Sequence, residues 1–237
     1  MASSRSSIRQ LHDVLSSFDA QKREVVRSIG FEGILLFPAL KQINRRFAVW
    51  LMSKIDPVTQ TIAIDSSKQL YFSKKDIDRV FGIPCNGRSV FSLGTPSKQT
   101  ISSVTAIFLP GRAKENRSVK VAQDILEKQY PDGMSQKDAD AFRVAFVIYI
   151  MSTLLCPGSK HDYVSVDYWN ALTEPSVIKD YDWSEYVLKR LMQAVVKVKI
   201  KLASSNKVTN INGCSIFLQV CTKIKVANYS IHYQKAE

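Results

Sequence analysis

The stretch Ser73-Lys-Lys-Asp-Ile-Asp-Arg-Val-Phe-Gly-Ile-Pro-Cys-Asn-Gly87 carries its own start and stop signals. The Ser73 hydroxyl can accept from an early free backbone N–H, and the Asp76 carboxylate three positions on can reach back to the cap, so a helix begins there. Ile77, Val80 and Phe81 then share one face. Gly82 supplies a left-handed cap and Pro84 cannot continue a helix, so the element ends after about two turns. The chain around it reads the same way, as short capped helices docked by apolar stripes, and the fold class is mainly α.

Immediately upstream, residues 61–65 and 69–72 alternate apolar and polar side chains and are joined by Ser66-Ser67-Lys68, which gives one small β-hairpin at about residues 61–72. Residues 44–55 form a helix with Phe47, Trp50, Leu51 and Ile55 inward and Arg45, Arg46 and Lys54 outward, ended by Asp56-Pro57. Asp19 caps another through Ile29, stopped by Gly30. The apolar residues 31–40 pack as a short segment ending near Pro38. Residues 1–18 are expected to be a flexible N-terminal segment, because the first ten carry arginine and serine without an acid. Organellar transit peptides share that composition, which keeps a mitochondrial or plastid location as the alternative to the tail reading.

Downstream, residues 88–120 are rich in Ser, Thr, Lys and Arg with little periodicity and are expected to be a mobile connection, with one ordered piece around residues 104–109. Helical patterning returns at residues 121–130, and Pro131-Asp132-Gly133 makes a turn. Ser135 with Asp138 repeats the capping pair and opens the longest helix, to about Leu155, apolar on nearly all sides. The longest apolar run, residues 144–156, is short of the roughly 20 residues a membrane span needs and reads as a buried core helix. Leu188, Leu191, Val195, Val198 and Leu202 recur at steps of three and four along a last long helix at about residues 184–202, while Lys197 and Lys201 share another face. Residues 211–226 supply one more helix. Residues 19–237 are thus read as a single compact multi-helix domain.

Lysine and arginine number 33 against 21 acids, a net charge of +12. Residues 184–237 alone hold nine basic and two acidic side chains, more than half of the excess in the last quarter. Lys189, Arg190, Lys197, Lys199, Lys201, Lys207, Lys223 and Lys225 are therefore the candidate contacts for nucleic acid or an acidic partner. A solvated face is the plainer reading, since Tyr229 and Tyr233 are not interleaved with the cations and no helix-turn-helix or zinc-finger signature is present.

The four cysteines, Cys85, Cys156, Cys214 and Cys221, are widely spaced and make no C-x-x-C pair, which fits a reduced intracellular setting, nucleus or cytoplasm. Residues 82–89 have the spacing of a phosphate-binding loop with Arg88 in place of lysine. A true one links a strand to a helix N-terminus, whereas this one follows a helix and contains Pro84, so a helix stop with a turn is the reading. Cys156, His161 and Asp162 invite a thiol-nucleophile reading, but such groups usually converge from distant segments, and a structural cysteine beside a loop is favoured. His12, His161 and His232 form no cluster at metal-ligand spacing. No catalytic residue, metal or cofactor is assigned.

The order of these pieces resembles the plant mobile domain-like proteins, also called aminotransferase-like. The resemblance lies in Ile29-Gly30-Phe31 with Gly33, Trp50-Leu51, Ile55-Asp56-Pro57, the hairpin, the run from Asp76 through Gly82-Ile83-Pro84, Leu154-Leu155-Cys156-Pro157, Trp183 and Gly213-Cys214-Ser215-Ile216-Phe217-Leu218-Gln219. It spans roughly residues 25–225, and its most specific piece is Asp-Ile-x-x-Val-Phe-Gly-Ile-Pro with the hairpin before it. The resemblance implies a mainly helical, transposon-derived domain with nuclear roles in domesticated members and no catalytic residues. In many grasses a similar region precedes a ubiquitin-like-protease domain with an Asp-Cys-Gly setting; this sequence contains none, so the chain, if complete, resembles a freestanding or truncated member. The expected function is a non-enzymatic, transposon-derived plant protein-interaction module. The alternatives are a nonspecific nucleic-acid-binding protein using the basic C-terminal quarter, and an organelle-directed interaction protein.

Overall fold

Residues 144–151 are apolar at every position and buried at every position, so the helix that holds them has no outer face along that length. A computed structural model of the chain, describing residues 4–38, 44–63, 69–110, 118–158, 164–205, 208 and 211–234, builds the fold around it. The order is α1 Ser4–Ser16, α2 Ala20–Ser28, α3 Glu32–Leu35, α4 Arg45–Lys54, β1 Ile55–Asp56, β2 Thr61–Ala63, β3 Gln69–Tyr71, α5 Lys74–Phe81, β4 Arg88–Ser89, α6 Lys98–Phe108, α7 Val119–Glu127, α8 Gln136–Ile150, β5 Tyr181–Asp182, α9 Trp183–Ser205 and α10 Ser215–Gln234. The fold is mainly α, with one small antiparallel sheet in which Ile55 faces Ile62 and Ile62 faces Leu70. A parallel pair, Arg88 to Tyr181 and Ser89 to Asp182, ties the middle of the chain to the start of α9.

Two groups of helices share the core. In one, α2, α6 and α7 pack against α8; in the other, α4, α5 and α9 pack together with α10 against α4 and α5. Trp183 and Phe31 join them: the Trp183 ring meets Phe31, Tyr168, Tyr181 and Tyr186 edge-on, Phe31 meets Phe146 of α8, and the indole N–H donates to the Ile178 carbonyl at 2.7 Å. Such edge-to-face pairs add about 1 kcal/mol each beyond the area they bury. At the end of α8, residues Met151–Leu155 widen into a π-turn closed by the Cys156 N–H to the Met151 carbonyl at 2.7 Å.

The capping boundaries hold. Ser73 and Asp76 form a reciprocal capping box, and Gly82 closes α5 in the left-handed region at φ 56°. Gly82 does a second job, because α3 crosses α5 there with Gly33 against it: the Gly33 N–H donates to the Gly82 carbonyl at 3.3 Å, and a Cβ on Gly33 would run into the Phe81 carbonyl oxygen.

Four expectations are corrected. The segment 1–18 is not a loose tail over its described part: residues 4–16 are helical, and Leu11, Val14, Leu15 and Phe18 at helical spacing are buried in the core. Residues 88–120 are largely ordered, since α6 capped by Ser97 and the start of α7 capped by Ser118 lie in them, and only 111–117 fall outside the described residues. The inward stripe of α4 is Ala48, Leu51, Met52 and Ile55, which keep helical spacing as well as the expected set does; Phe47 is half-buried and Trp50 is 52% exposed. The longest helix is α9, with 23 residues. The hairpin strands are Thr61–Ala63 and Gln69–Tyr71, and its joining residues 64–68 lie outside the described residues.

Lys22 is an unanticipated core member. It is fully buried on α2, where its ammonium donates to the Leu126 carbonyl at the end of α7 at 2.9 Å, a favourable place for a cation. Burial lowers its pKa, against the pull of Asp19 and Glu127.

Candidate functional site

Most of the groups singled out by sequence lie within the described residues. The loop with phosphate-binding spacing is a backbone crossing: a Cβ at Gly87 would strike the Asp180 carbonyl oxygen, and the Arg88 guanidinium stacks 4.8 Å over the Tyr181 ring. The cysteines are held as thiols. Burial pushes Cys214 and Cys221 up to about 12, and burial with Cys214 nearby raises Cys156 as well. Cys85 is raised by burial and by Asp182. His161 and Asp162 lie outside the described residues, as does the His232 side chain. Among the described residues no three His, Cys, Asp or Glu side chains gather as a metal site, and no helix is long and apolar enough to cross a membrane.

The basic residues separate into two settings. Lys225 of α10 reaches into the start of α5, where its ammonium lies 2.9 Å from Asp76 and donates to the Tyr71 carbonyl at 2.8 Å. Burial works against ionisation of Asp76, but Lys225 and the Ser73 hydroxyl and amide outweigh it and hold the carboxyl below its usual range. Beside it Lys74 pairs with the buried Asp182, whose other oxygen accepts the Glu185 N–H at 2.8 Å; that pairing raises the Lys74 pKa. These charges bind α5 to α9 and α10.

The others decorate α9. Lys189 pairs with Glu185 one turn back, and Arg190 with Asp167 at 2.9 Å. Lys197 and Lys201 are exposed and Lys199 half-buried, while Lys223 is exposed on α10. Lys207 lies outside the described residues. The predicted cations therefore do not converge on one patch; those on α9 share an outer surface with apolar side chains.

That surface contains a shallow open groove of about 480 Å³. One wall is the β1–β2 turn, with Pro57, Val58 and Gln60; the other is α9, with Lys189, Met192, Gln193 and Val196, and Phe91 closes one end. Val58 is 87% exposed, Val196 42% and Ile200, one turn beyond Val196, 62%. The turn is rigid, because the Asp56 carboxylate accepts the Val58 N–H at 2.8 Å and the Thr59 N–H at 3.4 Å; these bonds, with Lys199 nearby, lower its pKa. Phe91 is stacked on Tyr186 with ring centres 5.1 Å apart, and the Lys189 ammonium lies 5.1 Å from the Phe91 ring centre.

Sequence reasoning did not reach this groove, although one signal was present. Val196 and Ile200 stand four apart, opposite the buried Leu191, Val195 and Val198, and mark an apolar stripe on a face that the core does not use.

A family model described as a domain of unknown function (DUF8566) matches residues 4–219. No curated protein and no solved structure matches the chain.

Proposed function

The chain belongs to the DUF8566 family, and from that premise we propose that it is a non-enzymatic protein-interaction module, of the transposon-derived plant kind that its sequence resembles. The observation that carries the reading is the open, largely apolar groove between the β1–β2 turn and α9, which presents the exposed Val58 and Val196. Exposed apolar clusters rimmed by polar residues mark contact sites for other proteins. Burial of Cys214 and Cys221 raises their pKa and disfavours the thiolate, in keeping with the same reading.

The test cannot be a truncation, because residues 184–237 contain most of α9 and all of α10, and both contribute buried side chains. Affinity capture with the intact chain, followed by reconstitution from purified components, should give a complex of defined stoichiometry that charge-reversing surface substitutions weaken. A cofactor or metal retained stoichiometrically in native mass spectrometry of the purified protein would overturn the proposal.

A second reading, nonspecific nucleic-acid binding, rests on the nine basic residues against two acids in residues 184–237. It requires a DNA mobility shift that weakens steeply from about 50 to 200 mM salt. Absence of any shift at the lower salt rules it out.

A further inference from the structure

We infer that the groove between the β1–β2 turn and the outer face of α9 receives an acidic amphipathic helix of a partner protein. The helix lays its apolar side over Val58, Met192 and Val196 and turns its carboxylates toward Lys197 and Lys199. This deepens the interaction-module reading and rests on it.

The shape comes first. From Lys189 to Ile200 the outer face of α9, with Val196 and Ile200 exposed and Met192 largely buried beneath, runs about 16 Å at 1.5 Å per residue, the length of three turns of a second helix. A helix laid in a groove anchors through residues at i, i+3, i+4 and i+7, and Met192, Val196 and Ile200 offer their counterparts one turn apart. The opposite wall does not need to be ordered by the partner, since the Asp56 carboxylate already fixes the turn that carries Val58. Preorganisation of this kind lowers the entropy lost on binding.

Charge selects the occupant. Residues 186–205 of α9 hold five cations, Lys189, Arg190, Lys197, Lys199 and Lys201, and no acid. Three nearby acids have partners already: Asp56 accepts from the turn amides with Lys199 close by, Glu185 pairs with Lys189, and Asp167 pairs with Arg190, which leaves the face with a surplus of cations. A carboxylate-bearing helix thus meets an excess of cations along the α9 side of an apolar floor, while a basic helix is disfavoured there. Nucleic acid fits less well. Its phosphates need converging cations and its bases need a free ring face, whereas the groove floor is aliphatic and the Phe91 ring is already stacked on Tyr186 beneath the reach of Lys189.

The test uses the full chain and a fluorescein-labelled synthetic peptide of about 18 residues, five helical turns, with leucine at i, i+3, i+4 and i+7 and glutamate and alanine elsewhere. Its controls are a scrambled peptide of the same composition, a version with lysine for glutamate, and single-stranded DNA. Saturable binding is expected for the acidic amphipathic peptide alone. Val58→Asp and Val196→Asp, at exposed positions, should each weaken it about tenfold, as should the double variant Lys197→Glu/Lys199→Glu, whereas Ile107→Asp on α6 should leave it within about twofold.

Hydrogen exchange on the unaltered chain reads the same site without any variant: the peptide should slow exchange at residues 57–60 and 189–200. Four results overturn the inference: equal binding of the scrambled peptide, tighter binding of DNA, protection confined to other elements, and no binding at all. Protection elsewhere removes the groove but leaves the interaction-module reading standing. Failure of that wider reading is instead a retained cofactor or metal in the purified protein.

Discussion

Two regions of this molecule use lysine beside apolar side chains, with opposite results. At the seam where α10 and α9 meet α5, Lys225 and Lys74 are committed to Asp76 and Asp182, carboxylates that are only 6% and 5% exposed. On the outer face of α9, the acids that touch Lys189 and Arg190 keep more contact with water, Glu185 at 26% and Asp167 at 47% exposed, and Lys197 stands exposed beside Val196. A buried carboxylate must keep its cation or bear the cost of desolvation alone, so the seam charges are structural. An ion pair in water is worth little, so the α9 charges remain available to something else. The count of basic residues in the last quarter merges these two populations; only their partners separate them.

The sharpest way to break the contrast is Asp76→Ala. It removes the capping box and the partner of Lys225 together, and is expected to cost about 3 kcal/mol in urea unfolding. Lys225→Met keeps the cap but leaves Asp76 only the exposed Arg79, 3.6 Å away, and should cost about 2 kcal/mol by the same measurement.

Acid gives a smaller and directional effect. The folded-state pKa of Asp76 lies below its unfolded value near 3.9, so its contribution is fully present above that value and is lost as the pH falls through the folded pKa. Urea midpoints measured from about pH 6 down to pH 2.5 should fall, and Asp76→Asn should flatten that slope. At the small end, Lys197→Met on α9 should move stability by less than about 0.5 kcal/mol. A loss comparable to that of Lys225→Met would erase the distinction between the two regions.

Local signals carried well into the structure. Ser73 with Asp76, Gly82 with Pro84, the paired Ile62 and Leu70, and the apolar run after Ser135 all specify what they become within a few residues. The errors have physical causes. In α4, Phe47-Trp50-Leu51 and Ala48-Leu51-Met52 both satisfy helical spacing, and only the closeness of neighbouring helices decides that the small residue goes inward. In α1, serines and arginines outweigh the apolar set by composition, yet Leu11, Val14, Leu15 and Phe18 form a full stripe. The groove and the seam were the least legible, because Lys74 and Asp182 are 108 positions apart and no periodicity announces such a pairing. The exposed Val196 and Ile200 become meaningful only once the Pro57 turn is seen beside them.

The bridge from Lys225 to Asp76 also fixes a sequence of events during synthesis. A ribosome making this protein releases the first four helices, the hairpin and α5 itself long before it reaches the lysine that pairs with the carboxylate at the head of the fifth. Until then that carboxylate has only its capping partner Ser73 and the exposed Arg79, and α5 lacks its contact with α10. Closure of this half of the domain is therefore a late, long-range event, of the kind that slows folding and lengthens a nascent chain's dependence on chaperones.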